Sequence, residues 1–251
     1  MGLKRLLKQR RKKQAADRMT RLDTSHEELN GDDKGTRQII NLLNYTKRST
    51  SAYAGADYDV GYHSFKINGK HLRGQRDPEQ RLAKAVYDFT GKTVLDIGCN
   101  QGGMLFPIVE KIKYGIGIDY DSRMINAANR IRSYQRASHL DFYVFDLQNE
   151  RLEFIKDFIP DDKVDICFLL SVCMWLTNWR DVVEFAHDNS KTLLFESNGK
   201  SEQQEEQIDY LEKLYRNVSL LSDTSSDDPG RRTRKLLICS NDLPGGQHQH
   251  G

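Results

Sequence analysis

The stretch TVLDIGCNQGG, residues 93–103, constrains the fold more than any other part of the chain. An apolar run that reaches a carboxylate and then breaks into glycines is typical of a buried strand followed by a tight turn. In an open α/β sheet, ligands bind at the carboxyl ends of the strands. The turn after residue 97 is therefore the predicted position of a binding site.

Short apolar runs alternate with helical patterns from residue 93 onward. This alternation predicts an α/β, Rossmann-like fold with a seven-stranded, mostly parallel sheet and helices on both faces. The last two strands have no helical pattern between them, which predicts a terminal antiparallel hairpin. The predicted strands are 93–98, 114–119, 140–147, 164–170, 191–197, 217–223 and 235–240, and the predicted helices are 102–112, 122–134, 175–188 and 201–215.

Composition divides the chain into four segments. Residues 1–21 hold nine Lys and Arg and one Asp, a net charge of +8 in a chain whose total is +2, and predict a basic flexible arm. Such an arm favours a polyanionic partner, either an anionic membrane surface or nucleic acid. Residues 22–82 are polar and aromatic and predict an N-terminal cover that takes part in substrate binding. Residues 83–241 form the predicted α/β domain, and residues 242–251 a disordered tail.

Targeting and metal signals are missing from the sequence. No apolar run approaches the roughly 20 residues of a transmembrane span, and the basic N-terminus lacks the apolar core of a secretory signal. The four cysteines are widely spaced, which predicts reduced thiols rather than disulfides or a metal site. We therefore expect a cytoplasmic protein, with peripheral membrane contact as an option through the arm.

The glycine turn fits a dinucleotide poorly. In the register that starts at Gly98, Asn100 occupies the position where a dinucleotide-binding loop needs its middle glycine. Asp96, two residues before Gly98, would repel a diphosphate but would attract the cationic group of an amino acid. An adenosine cofactor with an amino-acid moiety suits the turn better.

The pattern D-x-G-x-x-x-G of residues 96–102 resembles motif I of class I S-adenosylmethionine-dependent methyltransferases, which more often carry glycine at the position of Asn100. The resemblance continues through GIGIDYD, VFDL and DICFLLSV. It implies that Asp119 holds the ribose hydroxyls, that Asp146 reads the adenine amino group, and that S-adenosyl-L-methionine is the cofactor. The residues that it places at the cofactor are Asp96, Gly98, Asn100, Gly102, Asp119, Tyr120, Asp146, Leu147, Leu170 and Ser171.

Candidate acceptor-side groups lie upstream of the motif and at the ends of later strands. Arg76 is predicted to bind the carboxylate of the cofactor or a phosphate of the acceptor. His63 is a candidate base, with a structural role as the alternative, and Glu196 is predicted at the active-site rim. A hydroxyl acceptor benefits from a base, whereas a phosphate oxygen is already anionic. Trp175 and Trp179 could stack on a base or a sugar.

Closer resemblances point in different directions. VLDIGCNQGG, GIDYDSRMINAANRIRSY and LSVCMWLTNW resemble the Bicoid-interacting family of RNA 5′-phosphate methyl-capping enzymes. Two acceptor-side positions depart from that family: Thr177 replaces a histidine, and Glu196-Ser-Asn-Gly replaces E-P-Q-x-W. The segment before motif I resembles that of tRNA wobble-uridine carboxymethyl transferases, but the Tyr-His-Arg that those enzymes carry after the fourth strand is missing here. The C-terminal part resembles methyltransferases of bacterial surface-polysaccharide loci.

These patterns predict an S-adenosylmethionine-dependent O-methyltransferase. The predicted acceptor is a hydroxyl or phosphate on a glycan or glycolipid precursor. An RNA methyltransferase, of the 5′-phosphate capping or tRNA-modifying type, is the alternative. A catalytically silent cofactor-binding scaffold is a third possibility, which retention of the three aspartates does not exclude.

Overall fold

The computed structural model describes residues 33–225 and 233–241. The basic arm (1–21) and the tail (242–251) that the sequence predicts lie outside the described residues. No helix in the described ranges is long and apolar enough to cross a membrane. The division of the chain into four segments stays a prediction.

A helix and a small hairpin form the first part of the described chain. Helix α1 spans Lys34–Ser49; Asp33 caps its start by accepting a hydrogen bond from the backbone N–H of Thr36. Strands β1 (Phe65–Ile67) and β2 (Lys70–Leu72) pair antiparallel, and helix α2 spans Pro78–Ala85. Neither α1 nor the hairpin was predicted from the sequence.

The main sheet has seven strands in the order β5-β4-β3-β6-β7-β9-β8. The first five strands of this order are parallel, whereas β9 pairs antiparallel with both β7 and β8. The predicted mostly parallel sheet with a terminal antiparallel hairpin is confirmed. The strands are β3 (Thr93–Ile97), β4 (Tyr114–Asp119), β5 (Leu140–Val144), β6 (Val164–Leu170), β7 (Ser190–Glu196), β8 (Asn217–Ser222) and β9 (Leu236–Ser240).

Helices cover both faces of this sheet. The remaining α-helices are α3 (Ser122–Gln135), α4 (Trp179–Asn189) and α5 (Ser201–Leu214). Val94 of β3 faces the core on the α1 and α3 side, and the adjacent Leu95 faces the core on the α4 and α5 side. Successive side chains of a strand point to opposite faces, so a strand covered on both sides is apolar throughout.

One predicted helix was wrong, and two predicted boundaries were displaced by three or more residues. Residues 102–112 form turns and a short 3₁₀ helix, Phe106–Ile108, because Gly102 has a φ of +73° and Pro107 donates no hydrogen bond. Another 3₁₀ helix, Cys173–Trp175, delays the start of α4 to Trp179. Strand β5 ends at residue 144 instead of 147, ahead of a turn and a third 3₁₀ helix, Leu152–Phe158.

Candidate active site

The sequence-predicted cofactor residues meet at the carboxyl ends of β3, β4, β5 and β6. Chain order reverses between β3 and β6, since β3 continues to β4 on one side of the sheet and β6 leads to β7 on the other. An open α/β sheet binds its ligand in the crevice at such a switch point.

The turn after β3 requires its glycines. Gly98 has a φ of +77°, and a Cβ there would lie 2.5 Å from Val172 Cγ2. At Gly102 (φ +73°), a Cβ would lie 2.5 Å from a ring carbon of Phe142. The turn therefore packs so closely on its neighbours that a side chain at either glycine would displace it.

Asp119 ties this turn to the end of β4. Its side chain is 9% exposed, and burial raises the pKa of its carboxyl group. One carboxylate oxygen, Oδ2, accepts a hydrogen bond from Asn100 N at 2.9 Å, and Oδ1 accepts one from Asp121 N at 2.9 Å. The next residue, Tyr120, is exposed.

Asp96 is the buried carboxyl group of the site. It is 2% exposed, and its Oδ2 has no hydrogen-bond partner within the described residues. Burial raises the pKa of Asp96 to about 7; the positive charge of Arg81 opposes that rise, and the charge of Asp119 adds to it. A buried acceptor without a partner suits a cationic donor such as an amino group.

Asp146 and three neighbours lie at the ends of β5 and β6. Asp146 accepts hydrogen bonds from Gln148 N at 3.0 Å and Asn149 Nδ2 at 2.8 Å, contacts that lower the pKa of its carboxyl group. Leu147 and Leu170 are buried. Ser171, directly after β6, has a φ of +62°, which is uncommon for a residue with a side chain.

Glu196 and Arg76 form a buried ion pair instead of lining an open rim. Arg76 is fully buried and its Nη2 lies 2.6 Å from Glu196 Oε1, while Arg81 Nη2 lies 3.0 Å from Oε2. Arg234 Nη1 is 3.8 Å from the same Oε2. Burial alone would raise the pKa of Glu196, but Arg81, Arg76 and the hydroxyl of Ser171 hold it at about 2.

This arrangement differs from the expectation of a free base at the rim. A carboxylate with a pKa near 2 that is paired with arginines is a weak proton acceptor at neutral pH. Arg76 is likewise directed at Glu196 in this structure. The catalytic role of Glu196 and the cofactor-binding role of Arg76 stay predictions. The geometry of the ion pair favours a structural role for both residues.

His63 is buried beside the glycine turn. A Cβ on Gly103 would lie 2.3 Å from His63 Cγ, and the Tyr62 ring centroid is 4.6 Å from the imidazole. Neither ring nitrogen has a hydrogen-bond partner within the described residues. Burial and the charges of Arg81 and Arg76 place its pKa well below its ordinary value, so the ring is neutral. A neutral imidazole keeps one nitrogen as an acceptor.

Two contacts at the site involve residues that the sequence analysis did not select. Gln101, inside the glycine turn, donates a hydrogen bond from Nε2 to Thr46 Oγ1 of α1 at 2.6 Å. Asn198 donates to Ser171 O at 2.6 Å. Thr46 lies on a helix that was not predicted. The only sequence signal for its hydrogen bond with Gln101 was therefore the position of Gln101 inside the glycine motif.

No group of three metal-ligating side chains occurs within residues 33–225 and 233–241. The four cysteines are buried and free. Burial raises the pKa of the Cys99 thiol, which removes it as a nucleophile candidate at neutral pH.

Comparison with known proteins gives one matching family model and several similar folds. Residues 95–191 match the family model described as a methyltransferase domain. No curated protein matches the chain. The structure of WbdD, described as a bifunctional kinase-methyltransferase, superposes with a TM-score of 0.53 at 19% identity, covering 67% of this chain and 41% of that chain.

A second similar structure is the N-terminal domain of EvdMO1 with SAH bound. It superposes with a TM-score of 0.57 at 10% identity and covers 82% of this chain and 94% of that chain. The same domain in the presence of SAH and D-fucose gives a TM-score of 0.58. The aligned part of our chain spans less than half of WbdD, and identities this low establish the likeness of the fold.

Proposed function

The chain carries an S-adenosylmethionine-dependent methyltransferase domain of the class I fold, and on that premise we propose that it methylates an oxygen of a glycan or glycolipid precursor. The acceptor oxygen belongs to a hydroxyl or a phosphate group. The observation that carries the proposal is the convergence of Asp96, Asp119 and Asp146 at the carboxyl ends of three adjacent strands.

These carboxyl groups suit the polar parts of the cofactor. The unpartnered Oδ2 of Asp96 would accept a hydrogen bond from the amino group, and Asp119 would bind the ribose hydroxyls. Asp146 and Leu147 would contact the adenine. When bound, the cofactor supplies a methyl group that its sulfonium has already activated.

Methyl transfer breaks a carbon–sulfur bond and forms a carbon–oxygen bond. The protein therefore has to align the acceptor oxygen with the methyl group and exclude water, and such alignment can contribute about 7–11 kcal/mol. A phosphate oxygen carries no proton, whereas a hydroxyl must lose one. Neutral His63 has a nitrogen that can accept a hydrogen bond, but burial and the charges of Arg81 and Arg76 lower its pKa and make it a weak base. Glu196 holds the chain segments around this site together through its ion pairs.

Support for a glycan acceptor comes from two sources. The similar structures include a domain studied with D-fucose and a kinase-methyltransferase, WbdD. In addition, the two positions that depart from the RNA-capping family have structural partners here. Thr177 exchanges hydrogen bonds with Gln148, and Glu196 is buried among arginines.

Methyl transfer from labelled S-adenosylmethionine tests the proposal directly. We would assay the full chain with sugar phosphates and lipid-linked oligosaccharides in one series, and with 5′-phosphorylated RNA in another. Label in the saccharide series alone is expected. Label in RNA alone would move the function to RNA methylation, and no transfer with intact cofactor binding would favour a silent scaffold.

The Asp119→Ala variant is the control for the cofactor site. Loss of even one charged hydrogen bond to a ribose hydroxyl, worth roughly 1.5–3 kcal/mol, should weaken binding of S-adenosylhomocysteine by about 10–100-fold. Unchanged affinity in this variant would contradict the assignment of the whole site. Asp161→Ala, at an exposed position with one weak ion pair to Lys113, should bind normally.

A further inference from the structure

The two tryptophans of the chain lie four residues apart and have opposite environments. The Trp179 ring packs edge-on against Tyr210 at 5.4 Å, with the Arg180 guanidinium 4.5 Å from its centroid. Trp175 is 68% exposed. Burial of an aromatic side chain is a large stabilising contribution, so an indole left in solvent adds little to the fold.

Residues 171–178, here named the rim segment, carry Trp175 at the carboxyl end of β6. The side chain of Asn198 holds the first half of this segment. Its Nδ2 donates to Ser171 O at 2.6 Å, and its Oδ1 accepts from Met174 N at 3.0 Å. Asn198 is fully buried, so both hydrogen bonds are shielded from water.

The second half of the rim segment is held from the other side. Thr177 N donates to Gln148 Oε1 at 2.9 Å, and Gln148 Nε2 donates to Thr177 Oγ1 at 2.7 Å. Asn178 Nδ2 donates to Leu147 O at 2.8 Å. The exposed indole therefore projects from a backbone that is fixed at both ends, and the residues that fix it adjoin the adenine side of the cofactor site.

The chemistry of this surface favours a sugar over a nucleic acid. The rim segment contains no charged residue. Around Trp175, residues 174–178 are held by amide and hydroxyl side chains, and the charged partners of Ser171, Glu196 and Arg234, are buried. The adjacent Arg180 is paired with Glu206. Nucleic acids require Lys and Arg that neutralise phosphates, whereas uncharged amides and hydroxyls match sugar hydroxyls.

We propose that Trp175 is a stacking platform for a pyranose ring of the acceptor. One face of a pyranose is formed by C–H groups, and covering the indole with that face removes apolar surface of both from water. The fixed rim segment lowers the conformational entropy that the platform loses on binding. This inference rests on the proposed function and names the part of the acceptor that is recognised.

Fluorescence of Trp175 tests the platform without a known acceptor. In Trp179→Phe, Trp175 is the remaining tryptophan, and the variant is first checked for an unchanged unfolding temperature. With S-adenosylhomocysteine saturating, we would titrate D-fucose, D-mannose and N-acetyl-D-glucosamine. We expect at least one sugar, at millimolar concentrations, to shift the fluorescence emission of Trp175 to shorter wavelength in a saturable way. Trp175→Phe, which keeps Trp179, should show none.

Other outcomes overturn the platform. A shift produced by 5′-phosphorylated RNA and by no sugar would assign Trp175 to base stacking. No shift with any probe would remove it from binding.

Once an acceptor is found, Trp175→Ala should raise its KM about tenfold, equivalent to 1.4 kcal/mol, with kcat retained. An unchanged KM would overturn the platform while leaving the proposed function intact. Failure of the wild type to bind S-adenosylhomocysteine would instead contradict the function.

Discussion

At the residue scale, we expect the buried carboxyl group of Asp96 to make cofactor binding sensitive to pH. Its pKa is about 7 because burial disfavours the charge, with Arg81 and Asp119 as the charged groups that face it. The folded, cofactor-free protein therefore holds this proton more tightly than the unfolded chain does. As a result, this group lowers the stability of the cofactor-free protein as pH rises from about 4 to about 7.

We expect cofactor affinity to show the opposite trend. A cationic amino group favours ionised Asp96, so S-adenosylhomocysteine should bind more weakly below pH 7, by up to about tenfold per pH unit. Calorimetry in two buffers of different ionisation enthalpy should show that a proton is released on binding near pH 6. Asp96→Asn should bind weakly and independently of pH, and a pH-dependence that persists in it would contradict the assignment.

The aspartates themselves were predictable from the sequence, but their partners were not. Asp96, Asp119 and Asp146 end or follow apolar runs of suitable length, and the ends of parallel strands meet at one edge of the sheet. The ion pairs of Glu196 join residues 120 and 115 positions apart, to Arg76 and Arg81. No local pattern marks Arg76 and Arg81 as buried, so the sequence predicted Glu196 at the active-site rim and not inside a cluster of ion pairs.

At the element scale, Glu196 links β7 to α2 and to the segment that precedes it. We expect Glu196→Gln to lower the free energy of unfolding by about 3–5 kcal/mol, because buried arginines lose their counter-charge. Since the pKa of Glu196 is depressed to about 2, its stabilising contribution is complete above about pH 4.5 and is lost as pH falls towards 2.

Urea unfolding of wild type and Glu196→Gln at several pH values measures this contribution. The difference between the two proteins should shrink as pH falls below 4.5. Glu206→Gln, which removes an exposed partner of Arg180, is the matched control and should cost less than about 1 kcal/mol. A stable Glu196→Gln protein with a reduced kcat would instead support the predicted role as a base.

Helix α1 also contacts the glycine turn of the proposed cofactor site through one hydrogen bond. Gln101 Nε2 donates to Thr46 Oγ1 in a buried setting, and Asn100, its neighbour in the turn, donates its N–H to Asp119. We expect Thr46→Val to weaken S-adenosylhomocysteine binding about fivefold, since one buried hydrogen bond is worth roughly 1 kcal/mol.

Thr46→Ser is the matched variant, because it retains the hydroxyl oxygen. Titration calorimetry should give it near wild-type affinity. If both variants bind S-adenosylhomocysteine like the wild type while unfolding at lower temperature, Thr46 has a structural role only.

The helix itself was missed from the sequence. Its amphipathic pattern buries Ile39, Ile40 and Leu43, but the polar composition of the segment suggested a cover without regular structure.

At the scale of the whole molecule, the sheet and the helices at 122–134 and 201–215 were predictable, whereas the connection that follows β3 was not. Strands covered on both faces need nearly continuous apolar runs, such as residues 166–170, and such runs are recognisable in the sequence. Residues 102–112 have an apolar content suited to a helix, yet Gly102 and Pro107 and the packing of the turn on Phe142 produce a 3₁₀ path. Tertiary contacts overrode the local pattern there.

The basic arm gives the molecule its charge asymmetry. Without the +8 of residues 1–21, the remaining chain has 29 basic and 35 acidic residues, a net charge of −6. We therefore expect the full chain to sediment with vesicles containing anionic lipid, since each Lys or Arg near such a surface contributes about 1 kcal/mol. A combined change of Arg10, Arg11, Lys12 and Lys13 to Gln halves the charge of the arm.

Binding of this variant should fall by more than tenfold at low salt, and wild-type binding should weaken as salt rises and screens the charges. Neutral vesicles and the same variant's affinity for S-adenosylhomocysteine, which should be unchanged, are the controls. Wild-type binding to RNA at salt concentrations that abolish vesicle binding would assign the arm to nucleic acid. A membrane-held arm would keep an acidic catalytic body at the surface where lipid-linked saccharides are found, which is consistent with a glycolipid acceptor.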